Sequence, residues 1–173
     1  VSRVGLPLLR ATNIKRGIIS PVGLIYVAAE DVPRSRNAFL HTDDVLVVRS
    51  GAYTGDVAHV GEKWAGAVAG YDLIVSPGPN LTGEFLACFL LSNYVQRGHF
   101  GSLKQRSAQP HLNAQQVSET PLFSPPLTLQ REFSERAKRV LGLREVQEDS
   151  RVLLDQLFDG LQAKVFTGNL VAG

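Results

Sequence analysis

Short β-branched runs cut apart by glycine and proline fill the first two-thirds of the chain. Gly17–Ser20, Leu24–Val27, Asp44–Arg49, Val57–Val60 and Leu73–Val75 each predict a strand. Gly23, Pro33, Gly51, Gly55, Gly66 and Gly70 stand between them as turn markers. From Leu81 the period changes. Leu81, Phe85, Cys88, Phe89 and Ser92 recur at helical spacing, which predicts a helix over 80–93 with Thr82 as its cap. A second short helix is predicted over Asn113–Glu119.

Pro121 and Pro125-Pro126 end this region. From Thr128 to about Phe166 there is no proline, good helix formers dominate, and only Gly142 and Gly160 interrupt. Thr128 is the expected N-cap of one long helix. Phe133, Val140, Leu154 and Leu161 fall on one seven-residue repeat, and Leu143 and Leu157 lie three residues after two of them. Ala137, Phe158 and Val165 widen the stripe, while Gln147 and Ser150 put polar residues in its middle. Such a helix runs about 57 Å, against about 30–35 Å for the preceding domain. It therefore projects or breaks near Gly142. Two readings follow for the stripe: a helix packed back on its own domain, or a coiled-coil arm that needs a partner. Length and pattern favour the arm. The expected class is α+β, with a β-rich domain at 1–126 and a long helical arm at 127–173.

Composition narrows the class of protein. The 173 residues are 44% hydrophobic and 20% charged, which excludes a disordered chain and supplies a core. The longest apolar run, Phe85–Leu91, falls far short of the ~18 residues of a membrane span. A single cysteine, Cys88, forbids an internal disulfide, and no signal-peptide pattern opens the chain, so the cytoplasm is the expected compartment. There is no methionine, so the expectation is a trimmed chain or a fragment.

The net charge of +2 says little, but its distribution says more. Before Glu30 stand Arg3, Arg10, Lys15 and Arg16 without an acid, and between Glu84 and Glu119 stand Arg97, Lys104 and Arg106, again without one. Two acid-free basic stretches suit a polyanion. Three polar loops coincide with them or lie between them. The first carries Arg10, Asn13, Lys15 and Arg16; the second carries Arg49, Ser50, Tyr53 and Thr54. The third carries Lys104, Gln105, Arg106, Gln109, His111 and Asn113. Arg and Lys pair with guanine and Asn and Gln with adenine, while Ser50, Tyr53 and Thr54 are suited to phosphates.

Catalytic chemistry is not evident. There is no phosphate loop, no dinucleotide fingerprint and no zinc pattern around Cys88. His41 with Asp43-Asp44 reads as a turn into the strand that follows. Asp56 with Glu62-Lys63 lacks the residue between carboxylate and lysine that would put both on one strand face, so a nuclease core is rejected. No catalytic residue, metal ligand or cofactor is expected.

Taken together, five segments resemble the specificity subunit of Type I restriction–modification systems. They are Pro7–Ile14 with Gly17; Asp44–Gly51 with Thr54-Gly55; Ser107–Asn113; Pro125–Phe133; and Leu154–Leu170. In order they cover nearly the whole chain, as one target-recognition domain followed by one helical spacer. The resemblance implies a subunit without catalysis that reads half of a split duplex DNA sequence. It further implies docking of methyltransferase subunits on the helices and, through the complex, recruitment of the restriction translocase. The complete subunit has two recognition domains and two spacers, whereas this chain has one of each. A homodimer through the helix, carried by Phe133, Val140, Leu143, Leu154, Leu157 and Leu161, is therefore expected to supply the second half. The rival readings are a coiled-coil module whose β-rich head binds a protein, and a nuclease remnant.

Overall fold

The computed structural model of the protein describes residues 5–32, 38–104 and 110–166, the side chains of Lys104 and Glu145 excepted. Among the described residues eight short strands precede the α-helices. They are β1 (Leu6–Leu9), β2 (Ile14–Lys15), β3 (Ile18–Ile19), β4 (Ile25–Val27), β5 (Val45–Val47), β6 (Val57–His59), β7 (Val68–Ala69) and β8 (Leu73–Val75). They form three small sheets, ordered β4-β1-β7, β2-β3 and β6-β5-β8. Every pairing is antiparallel except β1 with β7, where Leu8 stands opposite Val68 and Leu9 opposite Ala69.

The run Val45–Val48 is apolar without a break because both of its faces are buried. Leu46 and Val48 point into one core with Leu9, Ile14, Leu40 and Ala58. Val45 and Val47 point into a second with Leu86, Leu90, Val95, Phe100 and Leu112. Three strands were not expected, β1, β2 and β7. β1 holds Pro7, which cannot donate to a ladder, and β7 has only two residues. The sheet tolerates Pro7 because β7 pairs only from Leu8 onward, so Pro7 is matched on one side alone, by Tyr26.

Helix α1 covers Gly83–Leu90 and is capped as expected, the Phe85 N–H donating to Thr82 Oγ1 at 3.3 Å. A wide turn over Tyr94–His99 runs into α2 (Phe100–Lys104), helical structure that Gly98 and Gly101 hid in the sequence. Helix α3 (Ala114–Ser118) has Asn113 as its cap. Helix α4 runs unbroken over Leu127–Phe166, a length of about 60 Å. Gly142 does not break it, and Thr128 lies inside its first turn, where the Pro126 carbonyl receives the N–H groups of Leu129 and Gln130.

The chain divides into two compact units, 1–137 and 138–173. The start of α4 belongs to the first because Gln130 is buried there. Its Oε1 accepts the Thr82 N–H at 2.9 Å, and its Nε2 donates to the carbonyls of Asn80 at 2.9 Å and Pro125 at 2.7 Å. Phe133 meets Phe85 edge-on, ring centres 5.7 Å apart, so part of its ring serves its own domain. The second unit is helix alone within the described residues. There Val140, Leu143, Leu154, Leu157 and Leu161 are 49–67% exposed. Arg151 bridges Glu148 at 2.9 Å and Asp155 at 2.5 Å along the helix surface.

Candidate nucleic-acid interface

The first polar loop is a tight turn over Ala11–Asn13 followed by the β2–β3 hairpin. Asn13 is completely buried. Its Oδ1 accepts the Arg10 N–H at 3.1 Å, and its Nδ2 donates to the carbonyls of Ser20 at 3.1 Å and Val22 at 3.0 Å. This corrects the expectation for Asn13: no edge of its amide is left to meet a base. It clamps the loop that displays its neighbours. Arg10 is exposed and donates through Nη2 to the Gly23 carbonyl at 2.8 Å, which fixes the direction of its guanidinium. Lys15 is half-buried on β2. Arg16 and Gly17 form the hairpin tip with φ of 43° and 102°. Of the two-residue hairpin turns whose twist matches their strands, type I′ needs positive φ at both positions. Arg16 meets that need at a steric cost and is exposed there.

The second loop is stapled to the third. Ser50 and His111 form an antiparallel bridge, and the Leu112 N–H donates to the Arg49 carbonyl at 2.7 Å. Thr54 is buried, its hydroxyl directed at the carbonyls of Gly51 (2.7 Å) and Pro110 (3.1 Å). Thr54 is therefore a second correction, since a hydroxyl committed to two carbonyls inside the loop does not hold a phosphate. The staple leaves Ser50 and Tyr53 exposed and brings the Arg49 Nη2 to 3.3 Å from the His111 Nε2. In that contact the guanidinium donates and an unprotonated imidazole nitrogen accepts. Asn113 is exposed but its Oδ1 accepts the Gln116 N–H at 2.8 Å as the cap of α3. Gln105, Arg106 and Gln109 lie outside the described residues, as does the side chain of Lys104 at the end of α2.

A fourth segment joins these loops and was missed. The β7–β8 connection, Gly70-Tyr71-Asp72, is tied at one end by the Gly70 N–H to the Leu9 carbonyl at 2.7 Å. At the other end Asp72 Oδ1 accepts the Arg49 N–H at 3.4 Å. Burial raises the Asp72 carboxyl above its ordinary value, against the opposing pull of the Arg49 N–H and charge. Tyr71, between them, is 78% exposed. An aromatic in a glycine-led turn between two strands was the available signal. The hairpin tip joins the group differently: the Gly17 N–H donates to the Val57 carbonyl at 2.8 Å, two residues past the second loop.

The acidic cluster is structural, as its sequence context suggested. Asp44 accepts the His41 N–H at 2.8 Å and the Ser76 hydroxyl at 2.6 Å. Asp43 accepts the Gly83 N–H at 2.9 Å and faces His59 Nε2 at 3.0 Å. Among the described residues no group of three or more His, Cys, Asp or Glu is placed to hold a metal, and no helix is long and apolar enough to cross a membrane.

Several solved structures, these two among them, are similar in fold. One is a chain from work on the complex assembly and conformational transition of the type I R-M system. It is 16% identical with a TM-score of 0.62, over 92% of this chain and 43% of that one. The other is the HsdS subunit from Thermoanaerobacter tengcongensis. It is 20% identical with a TM-score of 0.59, over 87% of this chain and 41% of that one. The chain thus spans less than half the length of either. No curated protein matches it. The model of the Type I restriction modification DNA specificity domain matches residues 6–147, which takes in every strand, the stapled loops and the first half of α4. On that match the chain belongs to the family of Type I restriction–modification DNA specificity domains.

Proposed function

We propose that the chain is a non-catalytic specificity component of a type I restriction–modification system that reads one half of a bipartite duplex DNA target. The observation that supports this best is the staple between residues 49–55 and 110–113. It gathers Arg49, Ser50, Tyr53 and His111 on one rim and spends the buried polar groups, Thr54 and Asn13, on holding loops rather than on ligands. Positively charged, loop-borne side chains on a rigid frame are what phosphate positioning and base readout require. Arg10, Lys15, Arg16 and Asn113 are assigned to the same surface, with Lys104, Gln105, Arg106 and Gln109 as contacts from the remainder of the third loop.

The helix takes the second role. Its stripe of Val140, Leu143, Leu154, Leu157 and Leu161 is proposed to pair with a second copy, completing a two-half recognition unit. Methyltransferase subunits then dock on the paired helices, and the restriction translocase joins through that complex. The test is selection from a random duplex pool by the full chain with its methyltransferase partner, followed by sequencing of the bound fraction at two salt concentrations. A recovered split motif, bound more weakly at higher salt, is the expected result. Recovery of no sequence would leave a protein-binding head as the better reading.

A further inference from the structure

We infer that Tyr71 is a specificity-determining residue, its ring set against a base of the target between the positions of Arg10 and Arg49. The inference rests on the proposed DNA recognition and adds a residue to it.

Three observations place the ring. Tyr71 is 78% exposed, on the three-residue connection between β7 and β8. That connection is pinned on both sides, by the Gly70 N–H on the Leu9 carbonyl at 2.7 Å and by Asp72 Oδ1 under the Arg49 N–H. Its pins are the arginine loops themselves. A Cβ on Gly70 would lie 3.0 Å from the Leu9 carbonyl oxygen and 3.6 Å from Arg10 Cγ, so the residue before Tyr71 packs against Arg10. The residue after it holds the backbone of Arg49. Tyr71 is thus carried at a fixed point between two guanidinium-bearing residues whose own heads are directed, one by the Gly23 carbonyl and one by His111.

The chemistry that fits is a planar, weakly polar surface flanked by cations. An arginine on each side suits two phosphates of a backbone, and an aromatic between them suits the groove edge of a base near those phosphates. A tyrosine has few rotamers to lose on contact, so an aromatic carried on a pinned backbone discriminates between bases better than a long flexible side chain. A free carboxylate ligand or a protein surface would engage the arginines without requiring the ring.

The test uses the full chain and the duplex sequence that it selects, with a scrambled duplex as reference. Tyr71→Ala is expected to lower affinity for the selected duplex by about tenfold or more, on the scale of a lost base–aromatic contact. Affinity for the scrambled duplex should hold, and reselection should lose preference at one or two adjacent positions. Tyr71→Phe, which keeps the ring, should retain the preference. Equal losses on both duplexes, or an unchanged selected sequence for Tyr71→Ala, would overturn the assignment. So would a Tyr71→Phe variant as impaired as Tyr71→Ala, which would make the hydroxyl the contact. A wild-type chain that selects no sequence at all fails one step earlier, on DNA recognition itself, and takes this assignment with it.

Discussion

The hydroxyl of Thr54 reaches the carbonyl of Pro110 at 3.1 Å across 56 residues of sequence. That bond, with the Leu112–Arg49 backbone bond and the Ser50–His111 bridge, turns two separate loops into one edge. The side chains proposed to meet DNA stand on this edge but do not build it.

Thr54→Val keeps the volume and deletes the donor, taking the hydroxyl from the Pro110 carbonyl while the Gly51 carbonyl keeps the residue-54 N–H. The expected cost is about 1–3 kcal/mol in urea unfolding. DNA affinity should fall with it, because Arg49 and His111 lose their shared frame. Thr54→Ser should restore both. A Thr54→Val protein with unchanged stability would show that the staple rests on backbone bonds alone.

Asn13→Ala removes three hydrogen bonds from a fully buried side chain. The expected loss is about 2–4 kcal/mol, since a cavity and unpaired carbonyls are left together. A role in reading bases would predict the opposite pattern, an altered target with stability intact. Denaturant midpoints and reselected sequences separate the two.

What the sequence made legible follows from which signals are local. β5 and β6 announce themselves because Val45–Val48 and Val57–Val60 are apolar runs between turn residues. β1 does not, because Pro7 argues against a strand until its one-sided pairing is known. Arg10, Arg16 and Arg49 stand out in the sequence by charge alone. Asn13 and Thr54 were grouped with them because a polar side chain looks the same in sequence whether it faces water or holds a loop from inside. Gln130 escaped notice on α4 for the same reason: nothing local marks it as the buried group that ties Asn80, Thr82 and Pro125 to the helix. Tyr71 was passed over because its position depends on two long-range contacts, with Leu9 and with Arg49.

Asp72 makes stability depend on pH. Burial raises its folded-state value, so the folded chain holds this proton to higher pH than the unfolded chain does. The contribution favours folding below the ordinary carboxylate value and is lost as pH rises through the raised one. Asp72→Asn should therefore gain thermal stability over wild type at neutral pH, with the gap closing as pH is lowered. A gap that widens toward acid would mean that the attraction of Arg49 outweighs burial.

Arg49→Ala should weaken duplex binding and reduce the salt slope by about 0.9 for each phosphate contact removed. The same experiment on Lys104→Ala with Arg106→Ala tests the third loop. A slope unchanged by either variant would move the phosphate contacts away from these loops.

The helix supplies the last prediction. Val140, Leu143, Leu154, Leu157 and Leu161 are each about half exposed or more. Leaving such a stripe in water costs about 25 cal/mol for each Å2 of apolar area. Gln147 and Ser150 interrupt the stripe near its centre. If two copies pair antiparallel about a two-fold axis, Gln147 of one can stand opposite Ser150 of the other. Leu143 then falls against Leu154 and Val140 against Leu157, so apolar layers flank the two Gln147–Ser150 layers about the axis. A parallel pair would instead stack Gln147 on itself and Ser150 on itself, and in either direction polar residues confined to the centre of the seam fix its register. Sedimentation should find a dimer at micromolar concentration. Leu154→Asp with Leu157→Asp should give a monomer whose circular dichroism keeps the helical signal in the presence of its folded domain. A dimer that survives both substitutions would place the interface elsewhere. A wild-type monomer would leave the stripe for a different partner, and the methyltransferase subunit is then the first to test by co-purification.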